Sequence, residues 1–170
     1  HFSTTSWGYD WSELYTGTVP NANFGSSIVI SANSSTLAIA ASGGNATASI
    51  NVYKNTGSGF TPYCTLTGLD NTFAQSVTIS DTGEYIAASN YMGMTVSIVN
   101  QGNVAIYKDV GGTVKYSTTP YQVITDYIPE SNGQFGNKVA FMNDYKTLVI
   151  YSRYGDLNIP SSFDDTTTTF

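Results

Sequence analysis

The chain has one histidine, His1, one cysteine, Cys64, and only six lysines and arginines against twelve aspartates and glutamates. Each scarcity excludes a class of function. Catalytic triads, histidine-ligated metals and histidine general bases all need an interior imidazole, and none exists. His1 reads as an exposed chain end, because a copper brace at an N-terminal histidine needs a second histidine. A lone cysteine forms no intrachain disulfide, and Cys64 reads as a small buried apolar residue. The cations Lys54, Lys108, Lys115, Lys138, Lys146 and Arg153 are scattered in a chain of net charge −6 and pI about 4.3. No basic patch is available to neutralise phosphates, so nucleic acid is not an expected partner. No segment approaches the roughly 18 uninterrupted apolar residues of a membrane span, and no basic stretch leads into an apolar run. Gly-rich phosphate loops, Cys or His clusters and amphipathic membrane helices are also missing. The sequence calls for no metal and no cofactor.

What is present is a repeat. Phe24-Gly25-Ser26-Ser27-Ile28-Val29-Ile30-Ser31 returns as Phe73-Ala74-Gln75-Ser76-Val77-Thr78-Ile79-Ser80, and more loosely as Phe135-Gly136-Asn137-Lys138-Val139-Ala140-Phe141-Met142. A second phrase follows each copy: Leu37-Ala38-Ile39-Ala40-Ala41-Ser42, then Tyr85-Ile86-Ala87-Ala88-Ser89, then Leu148-Val149-Ile150-Tyr151-Ser152. Two copies continue, with Ile50-Asn51-Val52-Tyr53-Lys54 matching Val104-Ala105-Ile106-Tyr107-Lys108, and Tyr63-Cys64-Thr65-Leu66 matching Tyr121-Gln122-Val123-Ile124. The unit is four short strands. The opening phenylalanines stand 49 and then 62 residues apart, near the period of propeller blades but with unequal loops.

The runs Ser27–Ser31 and Leu37–Ala41 are continuous rather than alternating, which predicts inner strands covered on both faces by neighbouring sheets. Small residues at Ala38, Ala40, Ala41, Ala87 and Ala88 suit the crowded inside of radial sheets. Thirteen tyrosines and eight phenylalanines favour strands, and Gly43-Gly44, Asn55-Thr56-Gly57, Asp81-Thr82-Gly83 and Gly111-Gly112 supply turns. There is no helical period. The predicted fold is all-β, a β-propeller-like array of four-stranded antiparallel blades that is incomplete, with about two full blades and partial ones at each end. Residues 1–23 are an N-terminal segment in which Trp11-Ser12-Glu13-Leu14-Tyr15 forms the outer strand of a preceding blade. Residues 24–72 are one blade repeat, 73–134 a second with longer loops, and 135–170 a partial blade, truncated after Ser152, with a Thr-rich tail.

These residues resemble the FG-GAP repeat family, the blade unit of integrin-α-type β-propellers, from about residue 24 to 152. Phe-Gly opens two of three copies, and Ala-Ala-Ser at 40–42 and 87–89 stands where the family has Gly-Ala-Pro. The family's calcium-binding blades carry an acidic loop that is missing here, since 32–36, Asp81-Thr82-Gly83-Glu84 and Asn143-Asp144-Tyr145-Lys146 lack the several hard oxygen ligands required. The resemblance implies adhesion or assembly.

The charged fraction of 11%, with Ser, Thr, Asn, Gly and Tyr dominating the polar positions, matches extracellular or particle-surface β-proteins. A chain starting at His1 is expected to be a processing product or a piece of a longer polypeptide. Asn33-Ser34-Ser35 and Asn45-Ala46-Thr47 fit the glycosylation acceptor pattern. Binding is expected from aromatic residues in loops, Trp7, Trp11, Tyr91, Tyr116 and Tyr127, which can stack on sugars or anchor protein interfaces. The expected function is non-enzymatic: an extracellular or particle-surface interaction and assembly module working through protein or carbohydrate contacts. Its expected partners are other protein subunits, same or different, that complete the blade array, with a glycan as a further ligand. One alternative is a structural subunit of a viral capsid, fibre or other large assembly. Another is a carbohydrate-active propeller enzyme, with Glu13 and Glu130 as acid and base.

Overall fold

A computed structural model describes residues 23–42, 48–68, 72–93, 100–111, 115–127, 131–142, 147–153 and 161–162. Every regular element within them is a strand. β1 (Phe24–Ile30), β2 (Thr36–Ala41), β3 (Ser49–Asn55) and β4 (Phe60–Thr67) form one antiparallel sheet in chain order. β5 (Val77–Ile79), β6 (Tyr85–Asn90), β7 (Asn103–Lys108) and β8 (Gln122–Thr125) form a second in the same way. β9 (Lys138–Phe141), β10 (Thr147–Tyr151) and β11 (Ser161–Ser162) form a third. The fold is all-β, an incomplete propeller-like array of antiparallel blades.

The repeat shows as local hydrogen bonding. Ser31 N donates to Thr36 O, Ser80 N to Tyr85 O and Met142 N to Thr147 O, each at 2.9 Å. In the first two hairpins the serine hydroxyl also accepts from the same partner's N–H at 3.0 Å, so the turn satisfies its own backbone. Seven residues before each donor stands Phe24, Phe73 or Phe135, followed by a left-handed residue: Gly25 at φ 86°, Ala74 at 61°, Gly136 at 84°. Alanine there costs roughly 1 kcal/mol in backbone strain. At Gly136 the constraint is also steric, because a Cβ would lie 2.8 Å from Val104 Cγ2 and 3.1 Å from Asn103 O.

Three expectations need correction. The Ala-Ala-Ser triplets at 40–42 and 87–89 are not equivalent: with Thr36 matched to Tyr85, Ala40 corresponds to Ser89, so the triplets stand two residues out of step. A two-residue slip keeps every side chain on its face, which hides it from pattern matching. The third sheet does not stop at Ser152, because Ser161 and Ser162 pair with Leu148 and Thr147. Finally, β1 is not covered on both faces, as described below.

Each sheet has a forward face toward the next sheet and a rear face toward the previous one. The forward face of the first sheet (Ala38, Ala40, Ile50, Val52, Leu66) packs on the rear face of the second (Val77, Ile79, Ile86, Ala88, Ala105, Tyr107). The forward face of the second (Tyr85, Ala87, Val104, Ile106) packs on Val139, Leu148 and Ile150 of the third, with Phe135. Alanines on the forward side let the sheets approach closely. Ile50, Leu66, Ile86, Ile106 and Leu148 are fully buried, each contributing about 1.5–3 kcal/mol. Across the second seam the inner strands meet directly: Val139 N donates to Ser76 Oγ at 3.3 Å and Phe141 N to Thr78 Oγ1 at 3.1 Å.

Candidate interaction surface

The repeated Tyr-Lys at the end of the third strand builds the same cation site twice. Lys54 lies 5.1 Å from the ring centre of Tyr63 and 5.5 Å from that of Tyr116, while Lys108 lies 5.1 Å from Tyr85 and 5.4 Å from Tyr121. Tyr63 within β4 and Tyr121 just before β8 are equivalent positions, each preceding the residue that pairs with Val52 or Ile106. The two sites differ in where their partners come from. Lys54 donates to Thr36 Oγ1 at 2.9 Å within its own sheet, but its carboxylate, Asp109 Oδ2 at 2.8 Å, comes from the second sheet. Lys108 has Glu84 of its own sheet at 3.6 Å.

Around Lys54 the residues after β7 close over the first sheet. Tyr63 OH donates to Asp109 Oδ1 at 3.1 Å, Lys115 Nζ donates to Tyr63 O and lies 4.6 Å from its ring centre, and Tyr116 OH donates to Gly83 O. Tyr63 and Tyr116 meet edge to face at 6.2 Å. Burial, then the hydrogen bond to Asp109, pushes the Tyr63 phenol up to about 12. Burial first, with the Asp109 charge second, pushes Tyr116 higher still, and burial raises the half-buried Cys64 thiol. These contacts make the site a clip between blades. The sequence signal for it was the Tyr53-Lys54 and Tyr107-Lys108 repeat, with Asp109 standing where the first copy has Asn55.

The residues chosen from sequence do not converge. Tyr116 is a correction: it is buried in the seam and its hydroxyl is used by Gly83, so its ring is unavailable to a ligand. Tyr91 is half-buried in the turn after β6, and Tyr127 is almost fully exposed after β8. Asn33 is exposed, but its amide nitrogen donates to Thr82 O of the second sheet at 3.1 Å and its oxygen accepts from Ser31 Oγ and Ser35 N. Trp7, Trp11, Asn45, Glu13 and Glu130 lie outside the described residues. Among the described residues, no three His, Cys, Asp or Glu side chains cluster as metal ligands would. No described helix is long and apolar enough to cross a membrane.

The surface that stands out is the rear face of the first sheet. Register puts Ile28, Ile30, Leu37, Ile39, Asn51 and Tyr53 on it. Ile28 is 62% exposed and Ile30 52%, whereas their equivalents in the second sheet, Val77 and Ile79, are 5% and 8% exposed under the first sheet. Gly25 opens onto the same space: a Cβ there would meet nothing nearer than Ile28 Cδ1 at 3.9 Å. On this face Asn51 Oδ1 accepts from Thr65 Oγ1 at 3.1 Å, while Asn51 Nδ2 is buried with no acceptor among the described residues. The face is thus sealed at Ile39 and Tyr53, 7% and 4% exposed, and bare only across β1.

No protein-family model matches the chain, and no curated protein matches it.

Proposed function

We propose that the chain is a non-enzymatic assembly module working outside the cell or on the surface of a particle, its blade array completed by other protein subunits that cover the bare residues of β1. The supporting observation is the pair Ile28 and Ile30, bare at the two positions that the second sheet buries as Val77 and Ile79. Repeat folds bury each unit's apolar face on its neighbour, so a unit with bare seam residues offers a binding surface. Two described carboxylates, Glu84 and Asp109, are held in ion pairs, which supports a structural role for them over an acid–base one. The low charge fraction and acidic pI support an extracellular or particle-surface setting.

Sedimentation of the full chain with Ile28→Asp and Ile30→Asp together tests this. The unsubstituted chain is expected to sediment above its 18.2 kDa monomer mass and to bind an apolar dye. The double variant should be monomeric, with weaker dye binding and an unchanged strand signal in circular dichroism. An unsubstituted monomer whose dye binding the substitutions leave alone would defeat the proposal.

A further inference from the structure

Resting on that reading, we infer that what covers β1 is a single extended strand of the partner subunit, whose hydroxyl side chains at alternate positions accept from the backbone amides of Ile28 and Ile30. The bare strip is one strand wide. Ile28 and Ile30 are 62% and 52% exposed, while on the neighbouring strands of the same face Ile39 and Tyr53 are 7% and 4% exposed. A strand fits that width and a further sheet does not. The backbone adds donors at the same two residues. In an antiparallel pair, alternate residues turn their N–H and C=O toward the partner strand. Ser31 N donates to Thr36 O, and with Ile30 opposite Leu37 and Val29 opposite Ala38, Val29 turns to β2 while the amides of Ile28 and Ile30 turn away from it. β1 pairs with no other described strand. Edge amides beside exposed apolar side chains are a template for an arriving strand.

The second seam shows how such amides are matched. Val139 and Phe141 stand where Ile28 and Ile30 do, since Met142 N donates to Thr147 O as Ser31 N does to Thr36 O. Their N–H groups donate to Ser76 Oγ at 3.3 Å and Thr78 Oγ1 at 3.1 Å, from side chains two residues apart and therefore on one face of their strand. Hydroxyls, not a backbone ladder, join β5 to β9. In the first seam Ser27 and Val29 hold the two positions, and Val29 packs against the core instead. A strand with hydroxyls at both positions satisfies both amides of β1, whereas an amide covered without an acceptor keeps its desolvation cost. Threonine suits the place twice over, its Oγ1 accepting while its methyl lies on an isoleucine. The partner strand that fits is thus Ser or Thr, any residue, then Thr, the pattern of Ser76-Val77-Thr78.

The test presents that pattern, as a fluorescent peptide with the sequence of residues 73–81, to the full chain diluted until it sediments as the monomer. Anisotropy should show saturable binding, and hydrogen exchange read by mass spectrometry should slow across residues 24–31. The same peptide carrying Ser76→Ala and Thr78→Val should bind about tenfold more weakly, because two hydrogen bonds to covered amides are lost. Ile28→Asp with Ile30→Asp in the chain should abolish binding of either peptide. Equal binding by the two peptides would overturn the hydroxyl clasp and leave the assembly reading standing on apolar cover alone. Binding that survives Ile28→Asp and Ile30→Asp, or that leaves exchange at 24–31 unchanged, would overturn β1 as the strand's site. No binding at all would overturn the inference outright, and the sedimentation and dye measurements on the Ile28→Asp, Ile30→Asp chain would then decide the assembly reading separately.

Discussion

β1 and β5 are the same strand twice, yet Ile28 and Ile30 face open space where Val77 and Ile79 are sealed. The side chains are matched in chemistry and their hairpins close with the same hydrogen bond. Burial here is a property of having a neighbour, not of the strand. A repeat writes the same interface into every unit, and only position in the array decides whether that interface is used.

The sharpest way to break the comparison is to put the same charge at both places. Ile79→Asp should cost on the order of 5 kcal/mol, because it buries an unpaired carboxylate in a seam. Ile30→Asp should cost within about 0.5 kcal/mol in the isolated chain, as exposed substitutions do. Urea unfolding midpoints of the two variants measure the contrast, and equal losses would mean that β1 is covered. A milder version truncates instead. Ile86→Ala in the seam should lose about 3 kcal/mol through the cavity it leaves, and Leu37→Ala, half-buried at the same position of the first sheet, distinctly less.

Alkali provides a third contrast. Burial pushes the Tyr107 phenol of the first seam up to about 12 from its ordinary value of 10.0. A raised folded-state pKa for an acid means that its stability contribution is whole below pH 10 and is lost as pH climbs toward 12. A shift of that size corresponds to roughly 2–3 kcal/mol. Thermal unfolding followed from pH 9 to 12 should therefore steepen above pH 10, and Tyr107→Phe should flatten that decline. The smallest effects separate the two lysine sites. Asp109→Asn should destabilise by about 1–2 kcal/mol, since it leaves the partly buried Lys54 ammonium without its carboxylate. Glu84→Gln should change stability by roughly 0–0.5 kcal/mol, because Glu84 is partly exposed and sits 3.6 Å from Lys108. Chemical denaturation of both variants at low and high salt checks the difference.

The strand plan was legible because each unit carries markers that no other structure would repeat in step. Phe24 opens β1 and the Tyr-Lys pairs stand at the ends of β3 and β7, whereas Phe73 and Phe135 precede β5 and β9, and β4 begins at Phe60, three residues before Tyr63. The two-residue slip between the Ala-Ala-Ser triplets was not legible, because small residues are interchangeable in a crowded strand and parity preserves the face. β11 escaped notice because two serines carry no strand signal of their own and acquire their place only by pairing with β10. Tyr116 looked like a loop aromatic and is instead the lid of the Lys54 site, a role set by the approach of a different sheet.

From its residues alone, this protein was committed to short strands, tight turns and a duplicated unit, since apolar content, turn residues and period act within a few residues of chain. Which faces are sealed, which lysine borrows a carboxylate from its neighbour, and that Ile28 and Ile30 remain bare were decided only when whole sheets met. Those outcomes depend on contacts between segments far apart in the chain, and such contacts follow the stacking of units rather than the pattern within any one of them.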